Sequence, residues 1–198
     1  MNKRPIKRYS TLGCCGLDCG LCPRYYTFGS SRCPGCCGAD FFNKHPSCSY
    51  ITCCVKKKSL EVCAECDEFP CSKFKPSLES GVAYDSFLTY EKVQYNLDFI
   101  KKYGIDKFIK QQDERIKFIE KMLENFNDGR SKSFFCIATT LLSIEDLKIA
   151  LDKTKQKIKE DKIGLKDVKT KAKILKKFLN EFAVKEGIEL RLRKKYLK

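Results

Sequence analysis

Thirteen of the fourteen cysteines fall between positions 14 and 71, and this crowding constrains the chain more than any other feature. They follow a rhythm: Cys15-x3-Cys19-x2-Cys22, Cys33-Pro34-Gly35-Cys36, Cys48-x4-Cys53, and Cys63-x2-Cys66-x4-Cys71. Three of these contain C-x-x-C, the spacing at which a tight turn brings two sulfurs to one metal ion. From 12 to 76 there is no sustained helical or strand period, and Gly and Pro recur beside the cysteines. Such a segment cannot bury enough apolar surface to order itself, so the sequence predicts that metal supplies the folding free energy.

The rest of the composition narrows the setting. At 198 residues, 42% apolar and 12% aromatic, the chain has the makings of a globular protein rather than a disordered one. No apolar run approaches the roughly 18 residues that span a bilayer. Residues 1–11 are basic but lead into Gly13-Cys14-Cys15 without the apolar stretch of a secretory signal. The sequence reading is therefore cytoplasmic, where thiols stay reduced and available as ligands, and not a secreted disulfide scaffold. The net charge is +15, and residues 153–198 carry 17 Lys/Arg against 6 Asp/Glu. Lys outnumbers Arg 32 to 8, which argues against bidentate base reading. A solvated helix face accounts for this charge; the other reading is a surface for RNA or an acidic protein.

Composition changes at Pro76-Ser77, and helical spacing takes over. Asp85 or Ser86 is expected to cap a helix to about Tyr103, with Phe87, Leu88, Leu97 and Ile100 on its buried side and Gly104 as its stop. Asp106 is expected to cap the next, where Phe108, Ile119, Met122 and Phe126 repeat at helical spacing. Residues 133–142 form a short apolar segment expected to be buried. Ser143-x-x-Asp146 resembles a capping box opening a helix to about Glu160. A last helix should run from about Lys166 to Lys185, and the strict alternation over 188–193 suggests one short strand.

Within the cysteine segment, Cys33 and Cys36 flank a Pro that fixes φ and a Gly that permits positive φ, and Cys48 and Cys53 are a plausible second pair for one four-thiolate site. Cys15, Cys19 and Cys22 would then join Cys63, Cys66 and Cys71, six thiols where one tetrahedral zinc uses four. Zinc is the first reading and a [4Fe–4S] cluster the alternative, because four thiolates suit both. Cys15-x3-Cys19-x2-Cys22 also has the spacing of the radical S-adenosylmethionine loop, but that chemistry needs a βα barrel and nothing downstream alternates strand with helix. Cys14, Cys37 and Cys54 adjoin better-placed cysteines and read as packed or free thiols. His45, the one histidine, reads as a surface or core-edge residue, and Cys136 as a buried hydrophobe. Arg130, Lys132 and Ser133, in a turn before a helix, are candidates for a weak anion site.

At these positions the chain resembles the cysteine-rich family known as domain-of-unknown-function 3795. The resemblance rests on Cys15-Gly-Leu-Asp-Cys19-x2-Cys22, Cys33-Pro-Gly-Cys36, Cys48-x4-Cys53 and Cys63-Ala-Glu-Cys66-Asp-Glu-Phe-Pro-Cys71. Ser86-Phe-Leu-Thr-Tyr90 and Asn127-Asp-Gly-Arg-Ser-Lys-Ser133 extend it toward the longer members. It implies a metal-binding protein with ten marked cysteines (15, 19, 22, 33, 36, 48, 53, 63, 66, 71) and carries no activity with it. The expected architecture is mainly α: an irregular, metal-stapled cysteine module over 12–76 packed on a basic helical bundle over 77–198, with at most one or two short strands. The expected role is a zinc-binding interaction module; the alternative is an iron–sulfur protein in electron transfer, redox sensing or an enzyme with its substrate site between the two parts.

Overall fold

The computed structural model describes residues 7–45, 48–74 and 84–194. The composition break at Pro76-Ser77 lies outside them. Among the described residues the chain is mainly helical and contains no strand. A one-turn helix, α1 (Phe41–Lys44), sits inside the cysteine segment. The long helices follow: α2 (Val93–Tyr103), α3 (Ile105–Phe126), α4 (Lys132–Leu141), α5 (Ile144–Glu160) and α6 (Val168–Lys185). No helix among the described residues is long and apolar enough to cross a membrane.

Helix boundaries follow local chemistry, with three departures from the sequence expectation. The helix expected from Asp85 begins at Val93, because side chains hold the preceding turns instead. The Asp85 carboxylate accepts the Tyr90 N–H at 2.8 Å, and Thr89 Oγ1 accepts that of Glu91 at 3.2 Å. Phe87, expected in the core, is 51% exposed, with the Arg24 guanidinium 4.7 Å from its ring centroid. Gly104 ends α2 with φ 86° as expected, but α3 starts at once, so Asp106 lies in its first turn and accepts the Tyr9 hydroxyl at 2.9 Å rather than capping. The 188–193 segment forms no strand because no neighbouring strand is there to pair with it. Arg193 instead binds Asp85 through its backbone N–H and its guanidinium, while Ile188 and Leu190 pack on the bundle. Ser143 behaves as predicted, its Oγ accepting the Asp146 N–H at 3.0 Å, and Asp167 does the same for the Thr170 N–H.

Two apolar cores form. The first gathers the cysteine segment (Leu12, Ile51, Val62, Phe69, Phe74) with Leu97 and Ile100 of α2 and Phe108 of α3. The second joins α3–α6 through Ile119, Met122, Phe135, Leu147, Leu175 and Leu179. The two parts interpenetrate: Leu21, from between two cysteines, is fully buried in the second core. Lysines of α5 and α6 lie over rings at the bundle surface, Lys153 over Phe182 at 5.5 Å and Lys176 over Phe134 at 5.8 Å. This is how a solvated basic face keeps its charge in water while covering apolar carbon.

A buried carboxylate pins the cysteine segment to the bundle. Asp18, one residue before Cys19, is 6% exposed. It accepts Asn96 Nδ2 of α2 at 2.7 Å and Gln112 Nε2 of α3 at 2.9 Å. The same amides also donate outward, Asn96 to the Gly16 carbonyl and Gln112 to the Thr11 carbonyl. Gly16, at φ 89°, makes the approach possible, since a Cβ there would lie 2.7 Å from Leu97 Cγ.

Candidate metal centre

Two of the three C-x-x-C units fold as single 3₁₀ turns, Cys19–Leu21 and Cys63–Glu65. In each, the second cysteine's N–H donates to the first one's carbonyl, at 3.2 Å for Cys22 and 3.1 Å for Cys66. Side chains three apart eclipse in a 3₁₀ turn, so each pair of sulfurs is presented on one side. Backbone N–H groups converge on sulfur as well: Leu17 on Cys15, Arg24 and Tyr25 on Cys22, Tyr50 and Ile51 on Cys48. Such donors favour thiolate, the form that binds metal, although at Cys15 and Cys22 burial outweighs them and leaves both thiols above their ordinary range.

The third unit behaves differently. Gly35 takes the positive φ expected of it, 81°, and a Cβ there would run into the Ser10 carbonyl, to which Cys36 N–H donates at 2.7 Å. Cys33 and Cys36, expected to share one ion, take different partners. Cys33 Sγ lies 3.3 Å from His45 Nε2, whose ring stacks on Phe41 at 4.5 Å. Cys36 turns inward to a buried thiol cluster around Cys14 that also takes in Cys48 and Cys54. Sharing protons with Cys14 draws the Cys36, Cys48 and Cys54 thiols below the usual range and leaves Cys14 above it. Lys7, 4% exposed and bonded to the Glu61 carbonyl, places a buried ammonium nearby that favours thiolate at Cys36 and Cys54.

A second group surrounds a cavity of about 30 Å³ lined by Cys53, Cys54, Cys63, Cys66 and Cys71. The wide turn Ile51–Lys57, closed by the Lys58 N–H on the Cys53 carbonyl five residues back, carries Cys53 and Cys54 to its wall. Lys58 Nζ donates to Cys66 Sγ at 3.2 Å and pairs with Glu68 at 2.7 Å. Cys54, which donates to the Leu60 carbonyl at 3.4 Å and neighbours both Cys14 and Cys63, links this group to the Cys14 cluster. The remaining marked thiols, Cys15, Cys22 and Cys33, are the electrostatic neighbours of Cys19 together with Cys36. Among the described residues no three Cys, His, Asp or Glu side chains already stand at metal-ligand geometry; the sulfurs meet as free thiols, and all fourteen are free. In donor chemistry the set fits a thiophilic metal: clustered sulfur, N–H groups aimed at it, and an ammonium beside it.

Cys14, Cys37 and Cys54, read from spacing as packed or free thiols, are free and buried at 1%, 1% and 3% exposure. Cys14 is the thiol about which the first cluster gathers, and Cys54 lines the cavity of the second group. Cys136 is a buried hydrophobe as expected, 0% exposed and pushed up by burial.

The turn at 127–133 brings no open anion site together. The Asp128 carboxylate takes that place, accepting the Arg130 N–H at 3.0 Å and the Ser131 hydroxyl at 2.5 Å. Lys132 reaches back to the Tyr26 carbonyl and Thr27 Oγ1, and Arg130 and Ser133 are exposed. Comparison of the chain with family models, with curated proteins and with solved structures returns no match.

Proposed function

We propose that this protein is a cysteine-thiolate metal-binding protein of the kind its resemblance implies, with zinc as its metal, acting as an interaction module. The five-thiol cavity carries this reading. Cys53, Cys63, Cys66 and Cys71 would hold one ion, and Cys14, Cys36, Cys48 and Cys54 form a second set of four. Cys15, Cys19, Cys22 and Cys33 form a third. Bound zinc would supply a fixed tetrahedral crosslink between turns far apart in sequence. Lys7 favours the thiolate at Cys36 and Cys54, and backbone N–H groups favour it at Cys48. Burial raises the Cys15, Cys19 and Cys22 thiols, whose protons the metal itself would displace on binding.

Iron–sulfur clusters are the second reading, favoured by the same sets of four and by the Lys58 hydrogen bond to Cys66 sulfur. Metal analysis and a visible spectrum of anaerobically purified protein decide between them. The expected result is about two or three zinc ions per chain, at four thiolates each, and no visible colour. Iron with broad visible absorption would replace zinc by the second reading, and protein with neither metal would overturn both.

The partner in this reading is single-stranded nucleic acid. Tyr95, Phe99 and Tyr103 form a ladder on α2 with centroids 6.3 and 4.8 Å apart, Tyr95 and Tyr103 being exposed. Lys92 lies against Tyr95, and Lys102 and Lys107 against Tyr103. Rings interleaved with ammonium groups suit stacked bases and phosphates, and an acidic protein would leave the rings unused. Binding of a poly-uridine probe should weaken steeply with salt, and Tyr103→Ala should cost about 1–3 kcal/mol. Binding indifferent to both would reject this partner.

A further inference from the structure

A cavity of about 300 Å³ opens where the cysteine segment meets the bundle, and no cysteine lines it among the described residues. The lining includes the polar Asp18, Lys92, Asn96, Gln112 and Arg115 and the apolar Phe108, Leu142 and Ile188. Gln112 is 1% exposed, and its Oε1 is buried without a partner. The amide cannot simply be reversed: Nε2 already donates to both the Thr11 carbonyl and Asp18. A buried carbonyl oxygen left unpaired has lost its water without gaining a partner, so the site calls for a donor. Both hydrogen bonds of Arg115 leave from Nη1, to the Thr139 and Leu142 carbonyls, and its other edge carries further donors. Lys92 adds an ammonium, while Asp146 and Glu186, also in the lining, join Asp18 in offsetting the positive charge. A wall with both signs in near balance disfavours a phosphate or a simple cation, and the volume lies at the small end for ligand sites.

We infer that this cavity binds a small zwitterion of the α-amino-acid class, its carboxylate held by Lys92 and Arg115 and its ammonium by Gln112 Oε1 and Asp18. The apolar wall receives the side chain. The site does not require the metal reading, although Asp18 adjoins Cys19.

Isothermal titration of the full chain as purified, using individual L-α-amino acids with their deaminated acids and decarboxylated amines as controls, tests it. At least one amino acid should bind, with both truncated analogues about tenfold weaker or worse. Lys92→Ala should weaken it about tenfold, equivalent to about 1.4 kcal/mol, with an unchanged ligand-free Tm. Gln112→Met removes Oε1 and should abolish binding; since it also breaks two bonds to the cysteine segment, Lys92→Ala decides if that variant does not fold. A folded chain that binds none of the amino acids, or binds one equally well in Lys92→Ala, overturns the proposal. An ordered water on Gln112 Oε1 would give that result. Metal content measured on the same sample separates this failure from failure of the metal reading.

Discussion

Cys63→Ser is expected to strip one metal ion from the chain and unfold the segment from 53 to 71, whereas Cys136→Ser keeps the full metal content. Cys63 lines the five-thiol cavity beside Cys54, so it sits where two thiol groups join. A serine hydroxyl stays protonated near neutral pH and is a poor replacement for thiolate. Structural zinc in small peptides contributes about 10–16 kcal/mol, comparable with or larger than the roughly 5–15 kcal/mol net stability of a whole domain. Losing one ligand of four therefore removes enough to unfold a segment whose apolar anchors, Val55, Val62 and Phe69, are few and set on irregular turns. Cys136→Ser places a hydroxyl in a fully buried site and should lower Tm by an ordinary core-mutation amount, leaving metal stoichiometry intact. Equal metal loss in both variants, or none in either, would refute the assignment of Cys63.

The long helices were legible because their signals are local. Helical spacing placed α3, Ser143 placed α5, and Gly104 placed the end of α2. The start of α2 was not, because Asp85 is engaged from 108 residues away by Arg193, a contact no window of sequence contains. The alternation at 188–193 misled for the same reason: a strand is defined by its neighbour, and here the neighbour is a turn. In the cysteine segment, spacing identified the C-x-x-C knuckles, and two of them are the 3₁₀ turns that spacing implies. The grouping of sulfurs did not follow, since turns far apart in sequence bring Cys14 to Cys36, Cys48 and Cys54. Asp18 was visible only as part of a motif. Its role as the peg accepting from Asn96 and Gln112 depends on long-range packing.

The pairing of cysteines with helices gives the two cores different dependence on metal. The second is built mainly of interdigitating helix faces, with Leu21 as the buried contribution of the cysteine segment. The first draws on irregular turns, with α2 supplying Leu97 and Ile100 from the bundle side. The most direct measurement is therefore amide hydrogen exchange on reduced protein before and after chelation to zero metal content. Residues 12–74 should lose protection by several orders of magnitude and α2 should loosen, while α3 through α6 retain theirs. Unchanged protection across 12–74 in metal-free, reduced protein would contradict the account.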